Sequence, residues 1–218
     1  MDWGFAWDIT PDVLNGLSIT LRLFAWSLLF STIGGIALGL MRISPFPPFR
    51  WFSASFGWFI RGLPLLLIMF YVFFALPEFS SRLTLSSFDA AVVGLSLWTA
   101  AYQSEAVRSG VISVDGGQFE AAEALGMTRF YYMRRIILPQ AARIITPPFI
   151  GNTINTMKQT SLATAITVPE MTLLTNRIIA REFVVVEPLV TLAIIFLLLT
   201  TILVLAQMGM ERAFQLKA

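Results

Sequence analysis

Three ionisable residues lie inside long apolar stretches of the sequence: Arg22, Glu105 and Lys158. A charge at the centre of a membrane helix costs roughly 2.5–3.5 kcal/mol on insertion scales, so such residues are candidates for functional roles. Two of the three are cations, which can bind a carboxylate, and the third is a carboxylate, which can bind an ammonium group. The three residues could therefore contact a charged solute, or they could pair or reach the membrane surface and so hold helices together. Arg61 lies near a span end, where we expect an interfacial anchor.

Other chemistry is restricted by the composition. The chain has no cysteine and no histidine, which removes thiolates, disulfides, the usual general base and the commonest metal ligand. It also has no GxxxxGK[ST] loop that could cradle a nucleotide. We therefore expect no catalytic residue, no metal site and no cofactor in this chain, and a membrane-embedded enzyme is disfavoured.

The 218 residues are 56% hydrophobic and only 13% charged, which is typical of an all-α integral membrane protein. A helix needs about 20 residues to cross the hydrocarbon layer. Five stretches meet this length, and they predict a single transmembrane domain over residues 1–218 with a polar loop at about 112–143. The predicted spans are 13–41, 56–76, 89–111, 144–168 and 188–208. We expect the last helix to be followed by a short charged tail over 211–218, and Pro77 to end the second span.

Lysines and arginines are distributed unevenly among the connecting segments. Nine of the fifteen fall on one side of the five spans, whereas Arg82, Arg177 and Arg181 fall on the other. Because cytoplasmic segments are enriched in basic residues, we expect the first side to be cytoplasmic, the N-terminus outside and the C-terminus inside. The net charge of +2 reflects this bias and does not suggest nucleic acid. The nine are Arg42, Arg50, Arg108, Arg129, Arg134, Arg135, Arg143, Arg212 and Lys217.

The loop between the third and fourth spans carries helix signals. Asp115 can cap a short helix, Gln118 can return the bond as in a capping box, and Gly126 can end the helix in a left-handed conformation. Thr128 can cap a second short helix, which we expect to end before Pro139 because the residue preceding proline resists the α region. The sequence predicts a helix-turn-helix outside the bilayer.

The same loop resembles, at its full spacing, the EAA signature of permease subunits of bacterial binding-protein-dependent ABC importers. The resemblance implies a type I importer permease fold in the inner membrane, with the first loop helix as a cytoplasmic coupling helix. It implies three partners: an ABC ATPase dimer that binds ATP and Mg²⁺, an identical or homologous second permease subunit, and a periplasmic or lipid-anchored substrate-binding protein. The matching residues are Glu120, Ala121, Ala122, Gly126, Ile136, Leu138 and Pro139.

Further motifs resemble the polar-amino-acid branch of these permeases and cover nearly the whole chain. They are Asn15-Gly-Leu-Ser-Ile-Thr-Leu21, Arg61-Gly-Leu-Pro-Leu65, Ala101-Tyr-Gln-Ser-Glu105 and Lys158-Gln-Thr-Ser-Leu162. The resemblance implies an amino-acid substrate and adds Thr160 and Ser161 to the candidate pathway residues. Gln159 departs from the pattern, since the family commonly has aspartate there.

Depth along the helices favours an acidic substrate. At a rise of about 1.5 Å per residue, Arg22 and Lys158 lie at similar levels, about nine and ten residues from the outer ends of their spans, and Glu105 lies about 10 Å deeper. Two cations at one depth favour a dicarboxylate, so we expect glutamate or aspartate, with a neutral polar amino acid as the alternative. A self-sufficient secondary transporter or channel for a small polar solute is the alternative of a different class, and it leaves the EAA loop without a purpose.

Overall fold

The computed structural model describes residues 2–215, with side chains through residue 209, and over this part of the chain it is helical without strands. Two π-helical turns, Tyr71–Ala75 and Met133–Ile137, and two 3₁₀ segments, Ser81–Leu83 and Thr160–Ile166, interrupt or extend the helices. The α-helices are α1 Trp3–Leu14, α2 Leu17–Arg42, α3 Pro47–Arg61, α4 Leu65–Phe70, α5 Leu76–Phe79, α6 Ser87–Ile112, α7 Gly116–Ala124, α8 Arg129–Tyr132, α9 Leu138–Gln159, α10 Met171–Glu182 and α11 Val186–Gln215.

Helix α6 is the centre of the bundle and packs against α2, α3, α4 and α9. Its buried residues include four polar ones, Ser96, Thr99, Gln103 and Ser104. The Thr99 hydroxyl forms a hydrogen bond of 2.8 Å with the hydroxyl of Thr156 on α9. Because α6 faces protein on most sides, its polar groups contact other helices instead of lipid.

Small residues bring α2 and α6 close together. Ser27, Ser31, Gly35 and Gly39 are buried on one face of α2 at intervals of one turn. A Cβ atom added to Gly39 would lie 2.5 Å from the Cβ of Val107, well inside van der Waals contact. Small residues allow backbones to approach in this way, and the resulting packing drives helix association in membranes.

The five predicted membrane spans stay predictions, although some of the described helices are long and apolar enough to cross a membrane. Of the described helices, Leu17–Arg42 and Val186–Gly209 are each long and apolar enough to cross a membrane. The pair Pro47–Arg61 and Leu65–Phe79 meets the criterion only when it is counted as one bent span, which gives up to three. For α6 and α9 the crossing remains a prediction, because polar residues such as Gln103 in α6 and Asn155 in α9 lower the apolar content of these helices.

The second span differs from the straight helix predicted over 56–76. Its two parts, Pro47–Arg61 and Leu65–Phe79, are bent by 103° at a break that contains Gly62 and Pro64. The helix also begins earlier than predicted, because Pro47 suits a first helical turn in which N–H groups need no partner.

Two predicted helix ends at prolines are wrong. The chain continues in helical form past Pro77 to Phe79 and past Pro139 to Gln159. In each case a π-helical turn ends two residues before the proline, at Ala75 and at Ile137. The wider turn changes the hydrogen-bond pattern of the backbone, so the missing N–H of the proline is accommodated without a break.

Two helices outside the predicted spans complete the bundle. Helix α1 is capped by the Asp2 carboxylate, and it buries Ala6, Ile9 and Val13. It packs on α10 and α11, and α10 lies in the segment between the predicted fourth and fifth spans, where we expected a polar loop. The predicted fourth span is a helix only to Gln159, after which the 3₁₀ segment continues to Ile166. Of the predicted tail, residues 216–218 lie outside the described residues.

The α2–α6 contact gives a stability test. We expect Gly39→Ala to destabilise the protein by about 1–3 kcal/mol, because a methyl group there overlaps Val107. Combining it with Val107→Ala should recover most of the loss. Thermal unfolding in detergent measures both, with Gly151→Ala as the control because no heavy atom lies within 4 Å of its added Cβ. Equal melting temperatures for Gly39→Ala and the wild type would contradict the close contact.

Candidate functional site

The loop helix α7 is formed by local signals. Asp115 Oδ1 accepts a hydrogen bond of 2.7 Å from the Gly117 N–H, as an N-cap does. At the other end Gly126 has φ +70°, and the Met127 N–H donates to the Ala122 carbonyl at 3.1 Å. This left-handed turn ends the helix as predicted. The predicted capping box is not formed, because Gln118 Oε1 instead accepts a bond of 3.4 Å from Gln140 Nε2.

Helix α7 has a buried side and an exposed side. Ala122 is its one buried residue, whereas Glu120 and Ala121 are exposed. The turn beyond it and α8 also expose apolar side chains: Leu125 is 79% accessible and Phe130 is 74% accessible. An exposed helix with a carboxylate and apolar side chains on its outer side can bind a groove on another protein.

The inner side of α7 is anchored on the ends of α6 and α9. Ala122 belongs to a buried apolar cluster with Val111, Tyr132, Ile137 and Ala141. The Tyr132 hydroxyl donates to Glu123 Oε1 at 3.2 Å, which joins α8 to α7. Ile136 and Leu138 are half-buried and pack against the same cluster, while Pro139 is exposed just beyond the π-helical turn. The seven EAA-motif residues therefore divide into an anchoring set and an exposed set. Thr128 lies at the N-cap position of α8 but makes no side-chain cap bond there.

Glu105 is the centre of a cluster of arginines. Its carboxylate accepts a hydrogen bond of 2.8 Å from Arg108 Nε. It also lies 3.4 Å from a guanidinium nitrogen of Arg61 and 3.6 Å from one of Arg42. Arg61 in addition donates to the Ala101 carbonyl at 3.0 Å. The cluster joins the ends of α2 and α3 to α6. Arg61 is part of this cluster and is therefore not simply the interfacial anchor that we expected.

Arg22 and Lys158 lie elsewhere, and both are exposed. Arg22 Nε donates to the Ser18 carbonyl at 3.3 Å. No ion pair among the side chains of residues 2–209 involves either cation. Thr160 and Ser161 follow Lys158 at the end of α9, where their hydroxyls donate to the carbonyls of Met157 at 2.7 Å and Lys158 at 2.9 Å. These hydroxyls close the helix end.

The structure does not bring Glu105 to Lys158. The Thr99–Thr156 hydrogen bond fixes the register of α6 on α9. Glu105 follows Thr99 by six residues towards the arginine end, and Lys158 follows Thr156 by two residues in the opposite direction. At about 1.5 Å per residue, the two groups are separated by about 12 Å along the helices.

Glu170 is a buried polar residue that we did not predict. Its carboxylate caps α10 by accepting hydrogen bonds from the N–H groups of Thr172 at 2.8 Å and Leu173 at 2.9 Å. The next residue, Met171, donates its N–H to Thr20 Oγ1 at 3.3 Å, so the cap is fixed against α2. Burial raises the pKa of the Glu170 carboxyl to about 7, and the two N–H donors lower it only in part. A cap signal preceding α10 could have been found in the sequence, but its burial could not.

The chain is similar to known membrane transport proteins in both sequence and fold. Residues 31–215 match the model of the family described as binding-protein-dependent transport system inner membrane component. The chain belongs to this family. A probable amino-acid ABC transporter permease protein, PatM of Vibrio harveyi, is 32% identical over 98% of both chains. A probable amino-acid permease protein, YxeN of Bacillus subtilis, is 37% identical over 98% of this chain and 96% of that one.

A solved structure is also similar over the full length. The crystal structure of an amino acid ABC transporter with histidines contains a chain that is 29% identical, with a TM-score of 0.90 over 98% of this chain and 99% of that chain. These similarities confirm the permease family and the type I permease fold predicted from the sequence. They also confirm that the chain is a multi-pass membrane protein of the inner-membrane component family.

Glu170 gives a pH prediction. Between the ordinary glutamate pKa of 4.5 and the folded-state pKa of about 7, the folded protein holds a proton that the unfolded chain has lost. The free energy of unfolding should therefore fall by at most about 3 kcal/mol as pH rises through this interval, and it should then level off. Glu170→Gln stays neutral and should show a smaller loss. Melting temperatures at pH 5 and pH 8 test this, with exposed Glu78→Gln as the control; identical pH profiles for Glu170→Gln and the wild type would contradict it.

Proposed function

We propose that this chain is the permease subunit of a binding-protein-dependent ABC importer for amino acids, and that it couples its translocation path to a separate ATPase through α7. The observation that carries the proposal is the two-sided form of α7. Glu120 and Ala121 are exposed for docking, whereas Ala122 is anchored in the cluster that joins α6 to α9. Force applied to the exposed side is therefore transmitted to two helices of the bundle.

The route of coupling runs through the start of α9. Helix α8, the π-helical turn and α9 form one helical segment over 129–159, and Ile137 in the π-helical turn is fully buried in the same cluster as Ala122. A displacement of α7 would tilt this segment, whose far end carries Lys158. ATP and Mg²⁺ would bind to the partner ATPase dimer, whose hydrolysis would supply the displacement.

We also propose a second permease subunit, identical or homologous, related by a two-fold or pseudo-two-fold axis. Five predicted spans are too few to enclose a path comfortably in one subunit. A periplasmic or lipid-anchored binding protein would deliver the substrate at the opposite end from α7. The arginines at the end of the bundle next to α7 support an orientation with this end in the cytoplasm, the N-terminus outside and the C-terminus inside.

The proposed substrate is an acidic amino acid, glutamate or aspartate. The relatives described as amino-acid permeases support the amino-acid class. Arg22 and Lys158 are exposed cations that make no ion pair with the described side chains, and both can receive carboxylates. Thr160 and Ser161 would fix the helix end that positions Lys158. Glu105, already bound by three arginines, would act on the inner part of the path and not on the substrate ammonium group. A neutral polar amino acid is the alternative.

Coupling through α7 is tested by the residue that ends it. Gly126→Val should lower substrate-stimulated ATP hydrolysis by about tenfold while leaving membrane insertion intact, because a β-branched residue enters the left-handed region only with strain. Gly126→Asn is the matched control, since asparagine tolerates this conformation. Glu120→Lys should reduce the amount of ATPase that co-purifies with the permease. Wild-type hydrolysis in Gly126→Val together with undiminished co-purification in Glu120→Lys would show that α7 is not the coupling element.

Substrate recognition is tested at Lys158. We expect Lys158→Met to abolish glutamate uptake without changing assembly, and Arg22→Met to weaken uptake, because each removes a cation available to a carboxylate. Uptake of labelled glutamate is measured in cells at matched expression, with Arg177→Met in α10 as the control. Undiminished uptake by Lys158→Met would remove this residue from the path, and uptake of glutamine but not glutamate by the wild type would favour the neutral substrate.

A further inference from the structure

A basic recess lies where α2, α3 and α6 approach the loop region. It has a volume of about 460 Å³ and is bordered by four arginines, Arg42, Arg50, Arg108 and Arg129. The arginines come from α2, α3, α6 and α8, so four separate helices converge on the same space. Trp51, which is 70% accessible, lies at its edge.

The positive charge of this recess is only partly neutralised within the described residues. Arg42 and Arg108 share the single carboxylate of Glu105 with Arg61. Arg50 donates to the Ser44 carbonyl at 3.3 Å, and Arg129 donates to the Ile43 carbonyl at 2.8 Å. Backbone carbonyls orient these guanidinium groups but do not cancel their charge. The recess therefore favours an anion.

An apolar groove lies between the same three helices at a deeper level. It has a volume of about 500 Å³, and its walls include Phe30, Phe52, Phe56, Val93 and Leu97. Phe52 follows Arg50 by two residues of α3, and Leu97 precedes Arg108 by eleven residues of α6. At about 1.5 Å per residue, the groove begins about 3 Å from the arginines along the helices and continues to about 16 Å from them. Its lining lacks charged residues.

We propose that the recess and the groove together bind one anionic phospholipid, with its phosphate among the arginines and an acyl chain along the groove. Arginine binds phosphate through charge-assisted hydrogen bonds, and basic pockets between membrane helices are suited to anionic headgroups. The order of the two parts matches a lipid whose headgroup lies at the membrane surface, and tryptophan, present here as Trp51 at the edge of the recess, is enriched at such interfaces. A soluble acidic protein would satisfy the arginines but would leave the apolar groove unfilled.

Lipid binding is measured without transport, so the result is independent of the proposed substrate and coupling. The full-length permease in detergent is titrated with phosphatidylglycerol or phosphatidylcholine of identical acyl chains, and bound lipid is counted by native mass spectrometry. Phosphatidylglycerol should bind at least tenfold more tightly. Arg50→Gln and Arg129→Gln should each weaken it about fivefold, the loss expected for one basic residue near an anionic surface. Arg177→Gln in α10 is the control and should not change binding.

The groove is tested separately by Val93→Trp, which fills it from a partly exposed position without touching the arginines. This variant should also weaken phosphatidylglycerol binding. Equal affinities for the two lipids, or unchanged binding in both arginine variants, would overturn the anionic site. Unchanged binding in Val93→Trp, or displacement of the lipid by equimolar glycerol phosphate, would overturn the acyl-chain part. Loss of bound lipid when the ATPase complex assembles would show that a protein partner occupies the recess.

Discussion

The contact between α2 and α6 is the constraint on which the other features of the bundle depend. Lipid supplies no hydrophobic driving force between two apolar helices, so their association relies on close packing. Gly35 and Gly39 allow α2 to approach Gln103 and Val107 of α6 at a distance that a larger residue would prevent. This register also places Arg42, three residues after Gly39, beside Glu105. The position of Arg42 in the arginine cluster therefore depends on the same contact.

The loop helix was predictable because its signals are local. Asp115, the helix-forming run after it and Gly126 specify a short helix without help from the rest of the chain. Helix α1 was not predicted, although Asp2 and the spacing of Ala6, Ile9 and Val13 fit an amphipathic helix, because so short a helix is stable only when packed on α10 and α11. Prolines misled the prediction at positions 77 and 139, since sequence does not show that a π-helical turn precedes each.

For the charged residues, too, the sequence predicts some features of the structure and not others. Sequence gives the depth of Glu105 in its helix but not the direction in which its side chain points, so its pairing with Arg42 and Arg61 could not be predicted. These two arginines lie at the ends of other helices, distant in sequence, and converge on Glu105 only in the fold, whereas Arg108 is three residues away on the same helix. Arg22 and Lys158 make no such pairs with described side chains, which is consistent with a role that needs them free for a ligand.

The central claim is that the bundle is a path that moves solute only when a separate ATPase acts on it. The direct measurement is uptake of labelled amino acid into proteoliposomes that contain the permease with or without its ATPase and binding protein. We expect uptake only when the permease, the ATPase and the binding protein are all present and ATP is supplied on the side of the membrane that the ATPase faces. Uptake by the permease alone, driven by an ion gradient, would contradict the claim and would identify a self-sufficient transporter.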